Sequence, residues 1–373
     1  MISRRHFLYA GAAASAALTL PGLARAQSAA SPSAAAVFAP KPGDWRTFQV
    51  VTRLEVKAEA GASQAWVPLP AFAAQDWFKP LGSTWTTNAA SVETVKDAQG
   101  AEILHLRWKA GEQPPVVEVT SRFSTRDRAV DLTKPGTVAP LSDAERAQYL
   151  AATDLIPTTG IVKATSDKIT AGKEGDLAKA RAIYEWVVDN TFRNAATRGC
   201  GTGDVAAMLE SGALGGKCAD LNALYVGLVR AAGIPARDIY GARVAPSKFG
   251  YKSLGANSDI ITKAQHCRAE VFLSGFGWVP ADPADVRKVV LEEPPAKLEV
   301  NDAKVLAARA ALFGSWEGNW MAYNTAHDVA LPGSSGPKVG FFMYPEAETV
   351  AGRLDCLDPD TFKYTLRSAE ISA

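Results

Sequence analysis

The sequence predicts an α+β fold, in which a strand-rich N-terminal part precedes a helical part that ends in an antiparallel hairpin. Three observations support this prediction. Short runs of alternating apolar residues fill residues 44–130, the period of an amphipathic helix takes over at Asp176, and a strand–turn–strand pattern begins at His266. The chain has 373 residues, of which 47% are hydrophobic, so it is long enough for two domains with well-buried cores.

The first 26 residues have the features of an export signal. A basic start that contains Arg4 and Arg5 is followed by an Ala-rich apolar stretch and an Ala-Arg-Ala end. The Arg pair resembles the twin-arginine signal for export of folded proteins. The alternative is a chance Arg pair in an ordinary secretory signal, which would change the export route of the protein and not its destination. We therefore expect a periplasmic or secreted protein. Residues 27–43, rich in Ala, Ser and Pro, are predicted to be a flexible leader.

Residues 44–130 are predicted to form an antiparallel β-sandwich. The runs TFQVVTRLEV, QAWVPLP, ILHLRW and VVEVTSRF have the length and alternation of strands, and turn residues separate them. His105 lies in one of these runs and is expected to be structural. Residues 131–175 contain Pro and Gly breaks and are predicted to be a connector with one short helix that opens at Ser142.

The segment GGKCADLNALYVGLVRAAGIPAR places Cys218 in the first turn of a helix. Apolar residues follow Cys218 at the spacing of one helix face, and Gly233 and Pro235 end the helix. At this position the free backbone N–H groups and the helix dipole stabilise a thiolate, and Lys217 adds positive charge. A lowered thiol pKa is what a nucleophilic cysteine needs; the alternative is a small residue of the core.

The segment HCRAEVFLSGFGWVPADPAD predicts a hairpin that brings His266 close to an acid. A two-residue turn at 274–275 places Asp282 beside His266, whereas a four-residue loop at 274–277 places Asp285 opposite it. The alternation of residues alone leaves both registers open. Either register combines a thiolate with an imidazole and a carboxylate, which is the arrangement of nucleophile, proton shuttle and orienting acid.

Together these motifs resemble the transglutaminase-like superfamily. Its members have a Cys at the start of a helix that is followed by Gly-Ile-Pro-Ala-Arg, then a His that opens a strand, then an Asp after Gly-Trp-Val. The chain has GKCADLNALYVGLVRAAGIPAR, HCRAEVFL and GWVPADP in that order, within about residues 176–290. The resemblance implies a papain-like core over residues 176–295 and a Cys218, His266 and Asp282 triad. Residues 44–130 resemble the sandwich that often precedes this module, and residues 296–373 are predicted to be an accessory extension packed on the core.

The other cysteines allow two further arrangements. Cys267 follows His266 directly and should point to the opposite face of the strand, as a buried thiol or as a disulfide partner of Cys200 in an oxidising compartment. Cys356 would then remain unpaired. A zinc site made of Cys200, Cys218, Cys267 and His266 is disfavoured, because the chain has no C-x-x-C pair. We expect no metal and no cofactor.

Four features have both a functional and a structural interpretation. Trp186 could donate its indole N–H to an oxyanion, as in some members of the superfamily, but helix packing is favoured, and the backbone N–H of Cys218 is the preferred donor. Residues 199–203 predict a tight turn before a helix capped by Asp204 rather than a phosphate loop. Residues 245–263 are a candidate lid. A cluster in the tail is predicted to dock on the core, with cleft lining as the alternative: Trp316, Glu317, Trp320, Tyr323, His327 and Asp328.

The overall charge excludes some partners. Lys and Arg number 40 against 39 Asp and Glu, so a dominant nucleic-acid-binding or anionic-membrane surface is not expected, and no run after the signal is long enough to span a membrane. The combined prediction is an exported cysteine-dependent amide hydrolase, specifically a peptidase, that acts on a protein or peptide. Acyl transfer to an amine and a non-catalytic binding module are the alternatives. The sequence predicts no oligomeric state.

Overall fold

A computed structural model describes residues 37–57, 61–111, 113–358, 360 and 362–372. The predicted signal and the first part of the leader therefore lie outside the described residues. The N-terminal part is built of strands, as predicted. These strands are β1 (Arg46–Val56), β2 (Ser63–Leu69), β3 (Phe78–Thr87), β4 (Ser91–Lys96), β5 (Glu102–Trp108), β6 (Val116–Thr125) and β7 (Arg128–Ala129).

The middle of the chain contains most of the helices. Its elements are α1 (Asp143–Leu150), α2 (Gly160–Thr170), α3 (Asp176–Asn190), β8 (Phe192–Arg193), α4 (Val205–Ser211), β9 (Gly215–Gly216), α5 (Cys218–Ala231), β10 (Ala236–Arg243), a 3₁₀ turn (Lys252–Leu254), β11 (Gln265–Leu273), β12 (Gly277–Ala281) and α6 (Pro283–Glu292). Helix α1 opens at Ser142 as predicted, since the Ser142 hydroxyl accepts from the Glu145 N–H and the Glu145 carboxylate accepts from the Ser142 N–H. Helix α2 was not predicted; it has no side-chain cap and gains its stability by packing on α5.

The tail adds one helix and seven strands. They are α7 (Ala303–Ala311), β13 (Ser315–Trp316), β14 (Trp320–Asn324), β15 (His327–Val329), β16 (Val339–Phe341), β17 (Glu346–Thr349), β18 (Gly352–Arg353) and β19 (Phe362–Ile371). Among the described residues, no helix is long and apolar enough to cross a bilayer.

Two antiparallel sheets form the N-terminal sandwich, and both include strands of the tail. One sheet has the order β19-β1-β6-β3 and the other β18-β17-β2-β5-β4. Strand β19 pairs with β1 from Thr47 opposite Ile371 to Val56 opposite Phe362. Apolar side chains from both sheets share one core, to which β1 contributes Leu54 and β19 contributes Phe362. The tail therefore completes the sandwich that the N-terminal strands begin.

The helical part packs on a third antiparallel sheet of order β12-β11-β10-β14. Helix α5 lies against β10 and β11, and helices α2, α3, α4 and α6 contact its other sides. All residues of α5 from Cys218 to Ala231 are buried, whereas the sequence predicted a single buried face. The difference arises because neighbouring helices cover the side of α5 that faces away from the sheet.

Candidate active site

Cys218 is the first residue of α5, and the loop before it is held by an acid inside the helix. The Asp220 carboxylate accepts the backbone N–H groups of Lys217, Thr202 and Gly203, each at 3.0 Å. A side chain at Gly201, where φ is +94°, would lie 1.8 Å from the same carboxylate. The Gly-rich turn thus binds an anion that belongs to the protein itself. As predicted, Asp204 follows it as the cap of α4 and accepts the Ala207 N–H at 3.0 Å.

The hairpin that carries His266 has a loop of intermediate length. Leu273 pairs with Gly277 and Ala269 pairs with Ala281, so the connection has three residues, 274–276, and both predicted loop lengths are wrong. Strand β12 ends at Ala281 because α6 begins at Pro283, and Asp282 is the N-cap residue of that helix. The acid near His266 is therefore placed by a helix start and not by strand pairing.

Both predicted acids reach His266, and they differ in their other partners. His266 Nε2 lies 2.8 Å from Asp282 Oδ2 and 3.4 Å from Asp285 Oδ1. Asp285 also forms a buried ion pair with Arg243. Asp282 Oδ1 accepts the Asp285 N–H at 3.0 Å and the Asn222 side-chain amide at 3.2 Å. Asp282 is thus the closer partner of the imidazole, as the resemblance implies, and Asp285 is a second acid behind it.

The charges around the imidazole favour its protonated form. Burial and Arg243 act to lower the pKa of His266, but the carboxylates of Asp285 and Asp282 outweigh them and raise it to about 9. Burial and the neighbouring Asp285 raise the pKa of Asp282. Burial also acts to raise the pKa of Asp285, yet the Arg243 guanidinium holds it well below its usual range.

Three groups surround the Cys218 sulfur. Hydrogen bonds from the Cys200 thiol, the Cys267 thiol and His266 hold the pKa of Cys218 well below its usual range, although burial opposes them. Because Asp282 occupies His266 Nε2, the other ring nitrogen, Nδ1, is left for the thiol. The lowered pKa of Cys218 and the raised pKa of His266 both favour a thiolate beside an imidazolium. All four cysteines are free, so the considered bridge between Cys200 and Cys267 is not formed, and both thiols contact Cys218 instead.

The considered zinc site is not assembled. Among the described residues, the only set of three or more His, Cys, Asp or Glu ligand atoms within 4.8 Å of one another is His266, Asp282 and Asp285. In this set Asp285 already pairs with Arg243, and the positive guanidinium opposes a second cation there. The chemistry of the set fits two acids that hold an imidazolium.

A cleft of about 690 Å³ opens on Cys218 and His266. One wall comes from residues 193–217, a second from residues 255–265, and a third from the tail. Most of the second wall lies within the candidate lid, residues 245–263, and the Ile261 N–H of that segment donates to Leu366 O of β19 at 2.8 Å. Trp186 is half-buried against the helical core and does not line this cleft.

The tail lines the cleft with residues other than the predicted cluster. Trp316, Glu317, Trp320, Tyr323 and His327 are buried, so the favoured docking interpretation is confirmed for them. The lining residues of the tail are Tyr344, Cys356, Leu357, Phe362, Lys363 and Tyr364, which the sequence analysis did not single out. Three of them, Phe362, Lys363 and Tyr364, belong to β19, and their place at the site depends on the pairing of β19 with β1, which local sequence patterns do not show.

Two further residues hold residues of the site in place, a role that the sequence did not predict for either. Trp320 Nε1 donates to the backbone oxygen of His266 at 2.9 Å. The Asn222 side chain bridges Cys267 O at 2.9 Å and Asp282. Asn222 had a detectable signal, since it is a polar residue one helical turn after Cys218 in an otherwise apolar helix. Trp320 was predicted only to dock on the core with the tail cluster, and nothing in the sequence pairs its indole with His266.

Comparison with known proteins agrees with this geometry. The sequence pattern described as "Transglutaminase-like superfamily" matches residues 163–283, the segment that includes Cys218, His266 and Asp282. A protein of Haemophilus influenzae described as "Uncharacterized protein" is 38% identical over 331 residues, which cover 84% of this chain and 88% of that protein. Residues 163–283 of this chain form a domain of the transglutaminase-like superfamily.

A solved structure shares the fold. The transglutaminase-like chain is similar to a crystal structure from Cytophaga hutchinsonii described as "a Putative Cysteine Protease", with a TM-score of 0.50 and 15% identity, over 88% of this chain and 99% of that chain. Red sea bream transglutaminase matches with a TM-score of 0.29 and 14% identity, over 83% of this chain and 57% of that chain. The likeness to the Cytophaga hutchinsonii structure, at 15% identity, concerns the fold alone.

Proposed function

We propose that this protein is an exported cysteine-dependent amide hydrolase, specifically a peptidase. Cys218 is the nucleophile, His266 moves the proton and Asp282 orients the imidazole. The observation that carries the proposal is that Cys218, at the start of α5, and His266 line the same open cleft, and that a buried carboxylate lies 2.8 Å from His266 Nε2. Export rests on the twin-arginine-like start, and loss of the protein from the periplasmic fraction in an Arg4→Lys, Arg5→Lys variant tests it.

The first half of the reaction forms a thioester. The Cys218 thiolate attacks the carbonyl carbon of the amide, and the electron pair of the C=O bond moves to the oxygen. Cys218 is the first residue of α5, so its backbone N–H has no partner within the helix. This N–H, at the positive end of the helix dipole, donates to the oxyanion. The oxyanion then collapses, the C–N bond breaks, and His266 gives its proton to the leaving amine.

The second half of the reaction returns the free enzyme. His266, now neutral, removes a proton from water as the water oxygen attacks the thioester carbonyl. The C–S bond breaks, the carboxylic acid product leaves, and the thiolate and imidazolium are restored. An amine that takes the place of water gives acyl transfer, the alternative reaction of the superfamily. Incubation of a peptide substrate with and without a primary amine separates the two outcomes by the mass of the acyl product.

The test of the reactive pair is the pH dependence of iodoacetamide labelling at Cys218, located by peptide mapping. Wild type should be labelled well below pH 8, because the thiol is already ionised. His266→Ala should shift labelling towards the behaviour of a thiol of pKa about 8.5. Identical profiles in the two proteins, both typical of an ordinary thiol, would reject the proposal and favour a non-catalytic binding module.

A further inference from the structure

The walls of the cleft carry charge of one sign. Among the lining residues there is no Asp or Glu, although acidic and basic residues are almost equal in number in the whole chain. Seven lining residues are basic: Arg193, Arg198, Lys217, Arg243, Lys263, Lys288 and Lys363. A cleft lined by one sign of charge concentrates the field and attracts ligands of the opposite sign.

Carboxylates behind the walls balance only part of this charge. Glu292 is shared between Arg193 and Lys288, and three further pairs are Arg198 with Asp355, Arg243 with Asp285, and Lys363 with Glu55. Within the part of the chain that the structure describes, Lys217 and Lys263 form no ion pair. The seven cations thus face four carboxylates, and the charge of His266 is matched separately by Asp282. Burial, followed by the nearby Arg243, lowers the pKa of Lys288 to about 8, as expected where cations are crowded.

The two unpaired lysines flank the reacting groups. Lys217 directly precedes Cys218, and Lys263 lies on the second wall shortly before His266. Lys217 is half-buried and Lys263 is exposed, so the ammonium groups can meet a ligand at the floor and at the rim of the cleft. Groups on a substrate that bind here must carry negative charge close to the amide that reacts.

We infer that the substrate is an acidic peptide, with Asp or Glu side chains next to the scissile amide. This inference rests on the proposed function, since it names the substrate class of the same cleft. The carboxylates of such a peptide pair with Lys217 and Lys263, which hold the amide over the Cys218 sulfur. A peptide with Gln in place of Glu has the same shape and lacks this attraction.

The experiment measures binding without turnover, so that it does not depend on catalysis. Fluorescein-labelled peptides with Glu, Gln or Lys at the same positions are titrated with the full-length Cys218→Ala protein, and fluorescence anisotropy reports binding. The Glu peptide should bind at least about tenfold more tightly than the Gln peptide at low salt, and the difference should shrink at 0.5 M salt, where the screening length falls to about 4 Å. Adding Lys217→Gln and Lys263→Gln should remove most of the preference, whereas Lys168→Gln, a matched change of an exposed lysine outside the cleft, should preserve it.

Two results would overturn the inference. One is equal binding of the Glu and Gln peptides, and the other is the same loss in Lys168→Gln as in the cleft variant. Neither touches the reactivity of Cys218, which the labelling experiment measures separately. An ordinary thiol in the labelling experiment combined with selective binding of the Glu peptide would reject the peptidase and leave an acidic-peptide binding site.

Discussion

Two buried histidines, at the starts of β11 and β15, have opposite acid–base properties. His266 and His327 are each 3% exposed, so burial alone does not distinguish them. Two carboxylates next to His266 overcome burial and the repulsion from Arg243 and raise its pKa to about 9. Burial, followed by the charge of Arg230, lowers the pKa of His327 to about 3. The Tyr240 hydroxyl lies 3.4 Å from Nδ1 of His327, and no carboxylate forms an ion pair with this ring among the described residues.

The comparison shows that the neighbours of a buried imidazole decide its charge. A base that gives its proton to a leaving amine must carry that proton before the reaction begins. His266 does so at neutral pH, and His327 is neutral there. The chemistry of the site therefore depends on the start of α6, which supplies both acids.

The largest expected effect is the contrast between the two histidines in activity. His266→Ala should reduce kcat/KM on a cleaved peptide by roughly 10³-fold or more, because the thiolate and the proton donor are both lost. His327→Gln should stay within about twofold of wild type. The measurement is initial rate against substrate concentration for the three purified proteins. Equal losses in the two variants would show that packing, and not proton transfer, accounts for the effect.

The two acids next to His266 should also differ, with Asp282 needed mainly for catalysis and Asp285 mainly for stability. Asp282→Asn should lower kcat by roughly 10²-fold or more, because the imidazolium loses its partner, while Asn still caps α6 and preserves the fold. Asp285→Asn leaves Arg243 buried without its partner and should reduce the free energy of unfolding by about 3 kcal/mol. Kinetics and urea unfolding on both variants test this division. It fails if Asp282→Asn is the less stable and the more active of the two.

Stability should respond to pH in opposite directions at the two sites. Folding stabilises charged His266, so its contribution is complete below about pH 6.5 and is lost as the pH rises through about 9. Folding keeps His327 neutral, so its protonation in the unfolded chain lowers stability as the pH falls from about 6.5 towards 3. His327→Gln should therefore gain about 2 kcal/mol relative to wild type between pH 7 and pH 5. Urea unfolding at both pH values tests it, and a pH-independent difference would contradict it.

The smallest effect concerns the thiol beside the nucleophile. Cys200→Ala removes the thiol whose interaction with Cys218 contributes most to lowering the Cys218 pKa, so that pKa should rise. Iodoacetamide labelling at pH 6 should slow several-fold. Cys200→Ser keeps a donor and should restore part of the rate. If Ser and Ala at this position behave alike, the hydrogen bond is not the cause.

Local patterns were sufficient for much of the site. Cys218 follows from a Gly-Gly turn and a helical period, His266 from the start of an alternating strand, and the cap of α4 from Asp204. These features depend on residues close together in the chain, so backbone propensity and the spacing of apolar residues are sufficient to predict them. The two predicted lengths of the hairpin loop were each wrong by one residue. The observed loop has three residues, and the helix start at Pro283 places the acid.

The sequence by itself determined the fold class, the strand and helix types and the set of groups that can react. Only the tertiary structure decided which acid lies closest to His266, that Cys200 and Cys267 contact Cys218 as free thiols, and that β19 brings the end of the chain to the cleft. The physical reason is that these contacts join residues far apart in the chain, and their geometry comes from the packing of whole sheets and helices. The charge of the cleft has the same origin, since a nearly neutral chain acquires a basic cleft only by the way it folds.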